Sequence, residues 1–433
     1  MRIATALLLA AAWAQGQNAP KDRMVVVISL DGFPAEALAD PALPIPTLRS
    51  LMRAGVSARM STVNPTVTWP NHTSMVTGVK ADEHGLLVNG TIVATNAWPP
   101  VKVEPMIDKI RMVHARTVYD AAHDAGLTTA QVDWVAINNA PSITWAFSEW
   151  APAESPVREE MIRKGVISTS DVNDFTKFNI LWRDQIWTKA AVYLIREHRP
   201  NLLLVHFLTL DSMHHQYGPK TLAATGAIGF LDGCVGQILA AIRETGMQDQ
   251  TTMMVVSDHG FKAYTKEIHA SVALEAAGLG GKAYVLNEGG AAIVYVDKEH
   301  RAEDLAKTAK VLEGVEGVDR VVGRDGFAAL GLPLPENDPQ MGDLYLTARP
   351  GYSFAGARGG PVTSERPQAG GSHGYAASDS NMDAIFIAGG YGISRGANVG
   401  QVANIDVAPT IARLLGVELP SAKGKVLPIL ALP

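Results

Sequence analysis

Three unbroken apolar runs constrain this chain more than any other feature: MVVVISL at 24–30, LLLVHFLTL at 202–210 and TMMVVS at 252–257. None alternates apolar with polar residues as a strand wetted on one face does. Each therefore reads as a strand buried on both faces, the habit of a parallel sheet covered by helices. Helical patterns separate them: TLRSLMRAG at 47–55, TVYDAAHDAG at 117–126, DQIWTKAAVYLIREH at 184–198 and TGAIGFLDGCVGQILAAIRETG at 225–246. The alternation predicts an α/β protein with a mostly parallel, doubly wound sheet flanked by helices. With 433 residues, 47% of them apolar, the chain can bury a core of that size.

Each run closes on an acid: Asp31, Asp211, and Asp258 followed by His259. Ligands of open α/β sheets bind beyond the carboxyl ends of the strands, so three acids delivered there share one site. Taken singly, an acid after a strand is a turn or cap residue. Three of them, two accompanied by histidine, point to metal. Asp31, Asp211 and Asp258 with His215, His259 and His373 form an oxygen and nitrogen donor set without thiolate, suited to zinc or another first-row ion and too rich in histidine for a dedicated calcium site. Asp211 and His215 stand four apart in DSMHHQYG, so a helical turn there puts both on one face. Glycines flank His373 in GGSHGY and let the backbone approach a metal closely.

The reactive group comes from STVNPTVTWPNHTSMVTGVKADEHGLLVNG at 61–90. Thr68 precedes Pro70 and a helix-like TSMVTG, which places its hydroxyl at a helix N-terminus where amides face an anion. A threonine hydroxyl is a poor nucleophile until a bound cation lowers its pKa.

In order, DGF at 31–33, PTVTWPNHTSMVTG, DEHGLLVNG, DSMHHQYGP at 211–219, SDHGF at 257–261, GSHGY at 371–375 and NIDVAPTIARLLG resemble the successive blocks of the nucleotide pyrophosphatase and phosphodiesterase family of the alkaline phosphatase superfamily. The resemblance runs over most of residues 24–430. It implies an alkaline-phosphatase-like fold and two Zn2+ per chain, with other divalent first-row metals as substitutes. One zinc falls to Asp31, Asp258 and His259 with the Thr68 oxygen, the other to Asp211, His215 and His373. Asn89 is implied to hydrogen-bond a phosphate oxygen together with the Thr68 amide. The implied reaction is hydrolysis of a phosphodiester or pyrophosphate: two ions ~4 Å apart clamp the attacking and leaving oxygens, and Thr68 forms a phospho-threonine intermediate that water then hydrolyses.

Two departures bear on substrate. Nucleotide-binding members carry a base-stacking aromatic five positions before the Asp211 equivalent; here that position is His206. Trp69 stands where the family has phenylalanine beside the nucleophile, and is taken as a substrate-binding residue. The extra arginine or Lys-x-Arg pair of a monoester specialist is missing from 129–145, which favours a diester over a dianionic monoester. A phosphomonoesterase or phosphonate hydrolase on the same site is the alternative. Thr68 argues against a sulfatase and a phosphoglycerate mutase, and the complete set of ligands against an inactive binding protein.

Residues 20–265 and 363–433 are assigned to the catalytic core and 266–362 to a small α/β capping insertion, with KAYVLN, AAIVYV and GDLYLTARPG as strands, RAEDLAKTAKVLEG as a helix, and 349–372 as a Gly- and Pro-rich loop. The tail NIDVAPTIARLLGVELP packs as a helix. Of the remaining histidines, His72 and His84 are expected to be hydrogen-bonded structural groups, and His114, His123, His198, His269 and His300 to lie at the surface. MRIATALLLAAAWAQG reads as a signal peptide cleaved after Ala14, with residues to about 19 flexible. The protein is thus expected to be secreted across the inner membrane into a periplasm or beyond. No later stretch reads as membrane-spanning, so no stable membrane insertion is expected. A formal charge of −6 gives no footprint for a nucleic-acid backbone, so the expected partner is a small phosphoester. The lone Cys234 excludes an internal disulfide.

Overall fold

The computed structural model describes residues 20–148, 155–298, 301–397 and 399–431. The predicted signal peptide and His300 lie outside the described residues. An eight-stranded sheet runs in the order Gln401–Ala403, Val56–Ser61, Ala384–Gly390, Thr251–Val256, Met24–Leu30, Leu202–Phe207, Thr129–Val132 and Trp145–Phe147. The three apolar runs are its adjacent central strands. All pairings are parallel except those of Ala384–Gly390, which is antiparallel to both neighbours, so the sheet is mixed but mostly parallel.

Burial on both faces follows from helices on each side. Ile28, Val205 and Val255 pack with Trp187 of the helix Ile180–Glu197 and with Leu231 and Val235 of the helix Leu222–Glu244. Val25, Val27, Leu204 and Met254 face the helices Thr68–Thr77, Val118–Asp124 and Val407–Leu415. The tail helix, with Ile411, Leu414 and Leu415 buried, is a packing element. Contrary to the membrane reading, Leu222–Glu244 is long and apolar enough to cross a bilayer. One face of it, including Ile228, Leu231, Val235, Ile238 and Ile242, packs in the core, and its Asp232 accepts the Thr47 and Leu48 amides at the start of the helix Pro46–Ala54.

Residues 262–372 build two smaller sheets. Ala283–Glu288, Ala291–Val296, Leu344–Ala348 and Val318–Val322 form an antiparallel four-stranded sheet. One face packs with the helix Ala270–Ala276 and with Leu312 of the helix Arg301–Glu313. The other lies on Ala81, Leu87, Val88, Ile92 and Val101. Lys262–Ile268 pairs on one side with Gly351–Phe354 and on the other with Thr363–Ser372, so the segment 349–372 is not the loop expected from its composition. A register shift between Glu365 and Gly370 spans Pro367 and absorbs the residue that cannot donate to a ladder.

Candidate active site

The parallel register delivers the acids together. Ser29 pairs with Val256, so the same register continued two residues sets Asp31 beside Asp258. The Gly32 amide donates to Asp258 Oδ1 at 3.1 Å. Gly32 has φ +69°, and a Cβ there would lie 2.7 Å from the Phe261 ring and 3.3 Å from the Asp211 Cα, so glycine is what allows these loops to close up. Asp211 sits in the first turn of the helix Thr209–Tyr217. Buried Asp184 holds the start of that helix by accepting the Leu208 and Thr209 amides at 3.1 and 2.9 Å.

The three candidate histidine ligands share one arrangement. His259 Nδ1 lies 3.1 Å from the Gly260 carbonyl, His373 Nδ1 3.1 Å from that of Thr66, and His215 Nδ1 3.2 Å from that of Gly371. A carbonyl can only accept, so each Nδ1 carries a proton; in His259 and His373 this leaves Nε2 to present its lone pair, the tautomer of a metal ligand whose other nitrogen is fixed by the backbone. Burial lowers the His215 pKa, but the Asp211 carboxylate beside it outweighs that and raises it. The Nε2 atoms converge on the acids: His259 Nε2 is 3.2 Å from Asp258 and 3.5 Å from Asp31, and Asp211 Oδ1 is 3.4 Å from His215 Nε2 and 3.9 Å from His373 Nε2.

Asp31, Asp258 and His259 form one grouping in which a single cation can be held; Asp211, His259 and His373 form another. The expected set for the second position has His215 in place of His259. His215 abuts Asp211 from the outside, its side chain 45% exposed. The donor set fits a cation. Asp31 Oδ1, Asp211 Oδ1 and Asp258 Oδ2 are buried with no hydrogen-bond donor, an arrangement costly without a compensating charge. Burial, then the neighbouring Asp258 and Asp211 charges, hold the Asp31 carboxyl well above its usual range. Burial pushes His259 down to about 4 and His373 to about 3, so both are neutral as ligands must be.

Thr68 opens the helix Thr68–Thr77, all ten of whose residues are buried and which ends at Gly78 in the left-handed conformation. Its Oγ1 lies 3.4 Å from His259 Nε2 and so faces the first grouping. In the first turn, Trp69 N–H donates to Asn89 Oδ1 at 2.9 Å, Pro70 has no N–H, and Asn71 N–H returns to the Val67 carbonyl. The Thr68 amide is left as the first-turn donor without a partner among the described residues. Asn89 has its acceptor committed, which turns its amino group outward as a donor. Asn71 shapes the approach to the nucleophile: the two N–H of its Nδ2 are shared among the Pro65, Val67 and Val63 carbonyls at 2.9, 3.1 and 3.3 Å. Trp69 is buried, and one edge lines a cavity of ≈ 180 Å³ with Met106, Trp134, Ile137 and Asn138.

His206 does not occupy a base-stacking position. It is 0% exposed in the strand Leu202–Phe207, with Nε2 3.1 Å from Asp31 Oδ2 and Nδ1 3.3 Å from Asp133 Oδ2. Its side chain points into the helix-covered interior beneath the candidate metal ligands, because an inner strand of a covered sheet has no face open to a ligand. Burial pushes its pKa down, but hydrogen bonds to Asp133 and Asp31 outweigh that and hold it well above the usual value. Sequence reasoning missed this buried Asp31–His206–Asp133 chain. Its one signal was a polar residue inside an otherwise apolar run, which must find a partner. His72 and His84 have the expected bonded roles, to the Thr68 carbonyl and to Ser74. His269 is not a surface residue: it is buried between the Ala355 carbonyl and Ser364.

A mixed sheet that gathers paired carboxylate and histidine groups and a helix-terminal hydroxyl at its carboxyl edge defines an alkaline-phosphatase-like α/β protein with a candidate metal centre. The chain belongs to the type I phosphodiesterase / nucleotide pyrophosphatase family, whose model matches residues 25–376. It is 24% identical over 404 residues to ectonucleotide pyrophosphatase/phosphodiesterase family member 1 of Rattus norvegicus, covering 90% of this chain and 40% of that protein. It is 22% identical over 396 residues to bis(5'-adenosyl)-triphosphatase enpp4 of Xenopus laevis, covering 91% of this chain and 78% of that protein. With member 3 of Rattus norvegicus the match spans 24% of the relative's length. Human ectonucleotide pyrophosphatase / phosphodiesterase 5 shares the fold, with a TM-score of 0.72 and 16% identity over 94% of this chain and 100% of that one. An inactive murine form of the same protein, in complex with AMP, also has a TM-score of 0.72.

Proposed function

We propose that the protein hydrolyses phosphodiester or pyrophosphate bonds at a two-zinc site, with Thr68 as nucleophile. The observation that carries this reading is the convergence of three buried, donor-less carboxylate oxygens with His259 and His373 in two adjoining groupings, the Thr68 hydroxyl lying 3.4 Å from His259 Nε2. Asp31, Asp258 and His259 would hold one ion together with Thr68 Oγ1, and Asp211, His215 and His373 the other. Bound zinc supplies Lewis-acid charge and lowers the pKa of a hydroxyl it touches.

The chain's own groups supply the rest. Thr68 Oγ1 attacks phosphorus, the bond to the leaving oxygen breaks, and a phospho-threonine remains. The Thr68 amide and the Asn89 amino group donate to a non-bridging phosphate oxygen and stabilise the charge that gathers there. Water then cleaves the Thr68 ester. The cavity beside Trp69 receives an apolar or aromatic substituent of the substrate.

A diester is preferred over a monoester because the cavity offers a place for a second substituent while residues 129–145 carry no extra lysine or arginine to hold the phosphate. A second negative charge on the phosphate would gain little there. A small phosphoester related to AMP is consistent with the complex of the murine neighbour. The signal-like segment at 1–14 supports export of the enzyme across the inner membrane.

Thr68→Ala tests the assignment. The variant is expected to lose at least about 10³-fold in kcat on bis-p-nitrophenyl phosphate while binding two equivalents of zinc as the parent does. Full activity in the variant rules the nucleophile out. A higher kcat/KM on p-nitrophenyl phosphate than on the diester would favour the monoesterase alternative.

A further inference from the structure

The face of the four-stranded sheet that lies on the catalytic core carries polar groups the proposed reaction does not use. Ala283 and Val285 belong to the cluster shared with the helices Ala270–Ala276 and Arg301–Glu313, whereas Tyr284 and Leu286 pack against the cluster that includes Leu87 and Val88. Side chains alternate along a strand, so Glu288 shares the face of Tyr284 and Leu286. In register, Glu288 pairs with Ala291, which pairs with Thr347; Leu286 pairs with Ile293, which pairs with Tyr345. Glu288, Thr347 and Tyr345 therefore stand on one face, with only the small Ala291 between the first two.

All three end in oxygens without a partner. The Tyr345 hydroxyl and Thr347 Oγ1 are buried and make no hydrogen bond, and the carboxylate of half-buried Glu288 has no hydrogen bond or ion pair among the described residues. The neighbouring Tyr295 hydroxyl is already spent on the Gln340 carbonyl at 2.6 Å. The backbone at this corner abuts the loop that carries the candidate ligand His373. In the turn after Glu288, the Gly290 amide donates to the His373 carbonyl at 2.7 Å. The Glu288 carbonyl would lie 1.9 Å from a Cβ on Gly374, which is glycine accordingly.

We infer that this corner is an ammonium subsite, in which Glu288 with the Tyr345 and Thr347 hydroxyls takes a protonated primary amine on the second substituent of the phosphodiester. The inference rests on the diesterase reading for its substrate. A carboxylate and two hydroxyls can all accept, and a primary ammonium brings three N–H donors and no acceptor. A quaternary ammonium brings none. Calcium asks for six to eight oxygens, several of them anionic, and the corner offers one carboxylate. Burial holds the Glu288 acid up to about 8, a cost that an incoming cation removes by favouring the ionised form.

The test compares p-nitrophenyl 2-aminoethyl phosphate with its near-isostere p-nitrophenyl propyl phosphate on the full chain. The parent is expected to favour the amine by about tenfold or more in kcat/KM, and Glu288→Gln to bring the ratio near unity with zinc content unchanged. A parent ratio of one or less, or a preference that survives in Glu288→Gln, overturns the subsite. So does an equal gain for the trimethylammonium analogue, because that group has no N–H to give. Cleavage of neither ester would instead count against the diesterase reading. The subsite is then judged by calorimetry with ethanolamine, whose binding must be present in the parent and lost in the variant.

Discussion

His206 ties together two carboxylates of opposite fates, one offered to the candidate metal and one kept in the core. By donating to Asp31 Oδ2 it fixes which lone pairs of Asp31 remain for a cation, as groups behind metal ligands commonly do. His206→Phe keeps the volume and removes the donor. Zinc affinity is expected to fall about 10- to 100-fold, measured by competition with a chromophoric chelator, and His206→Asn is expected to recover part of it. An unchanged affinity would mean that Asp31 is oriented by its backbone alone. The residues themselves were legible: Asp31, Asp211, Asp258 and His259 each close an apolar run. The partner of His206 was not, since Asp31 lies 175 positions away and a run shows which residues share a strand, not which side chain waits behind it.

At the scale of elements, legibility followed burial. The central strands announce themselves because burial on both faces leaves no polar residue to break the run, and the four helical patterns fall within the helices Pro46–Ala54, Val118–Asp124, Ile180–Glu197 and Leu222–Glu244 to within a few residues. Thr363–Ser372 did not, because its sequence TSERPQAGGS carries no apolar pattern and its place in a sheet is set by pairing with Lys262–Ile268. That strand leads into His373, so the seam between the smaller sheets and the core positions a candidate ligand. Gly374 is its tightest point, with φ +87° and a hypothetical Cβ 1.9 Å from the Glu288 carbonyl. Gly374→Ala is expected to lower the melting temperature and to reduce zinc toward one equivalent per chain, because the peptide carrying His373 must move. Two retained equivalents and an unshifted melting temperature would show that the seam yields without disturbing the ligand.

Across the whole molecule, the site is assembled from six separate stretches of chain, and one of its acids, Asp31, resists that assembly. Asp31, Asp211 and Asp258 face one another in a buried space, and Asp31 titrates well above its usual range for that reason. Without a cation, the folded chain binds a proton at Asp31 that the unfolded chain has already released, so stability falls as pH rises from the unfolded value near 3.8 through the raised folded one. A cation that binds only the folded chain offsets this repulsion and adds its own binding free energy. Removing it with a chelator is therefore expected to lower the melting temperature, and by more at pH 8 than at pH 5, as read by calorimetry on the same preparation. Thr68→Ala, which removes a hydroxyl and leaves every carboxylate in place, should show the same dependence. A chelator effect that is absent, or that shrinks as pH rises, would mean that the three acids are not held together by metal.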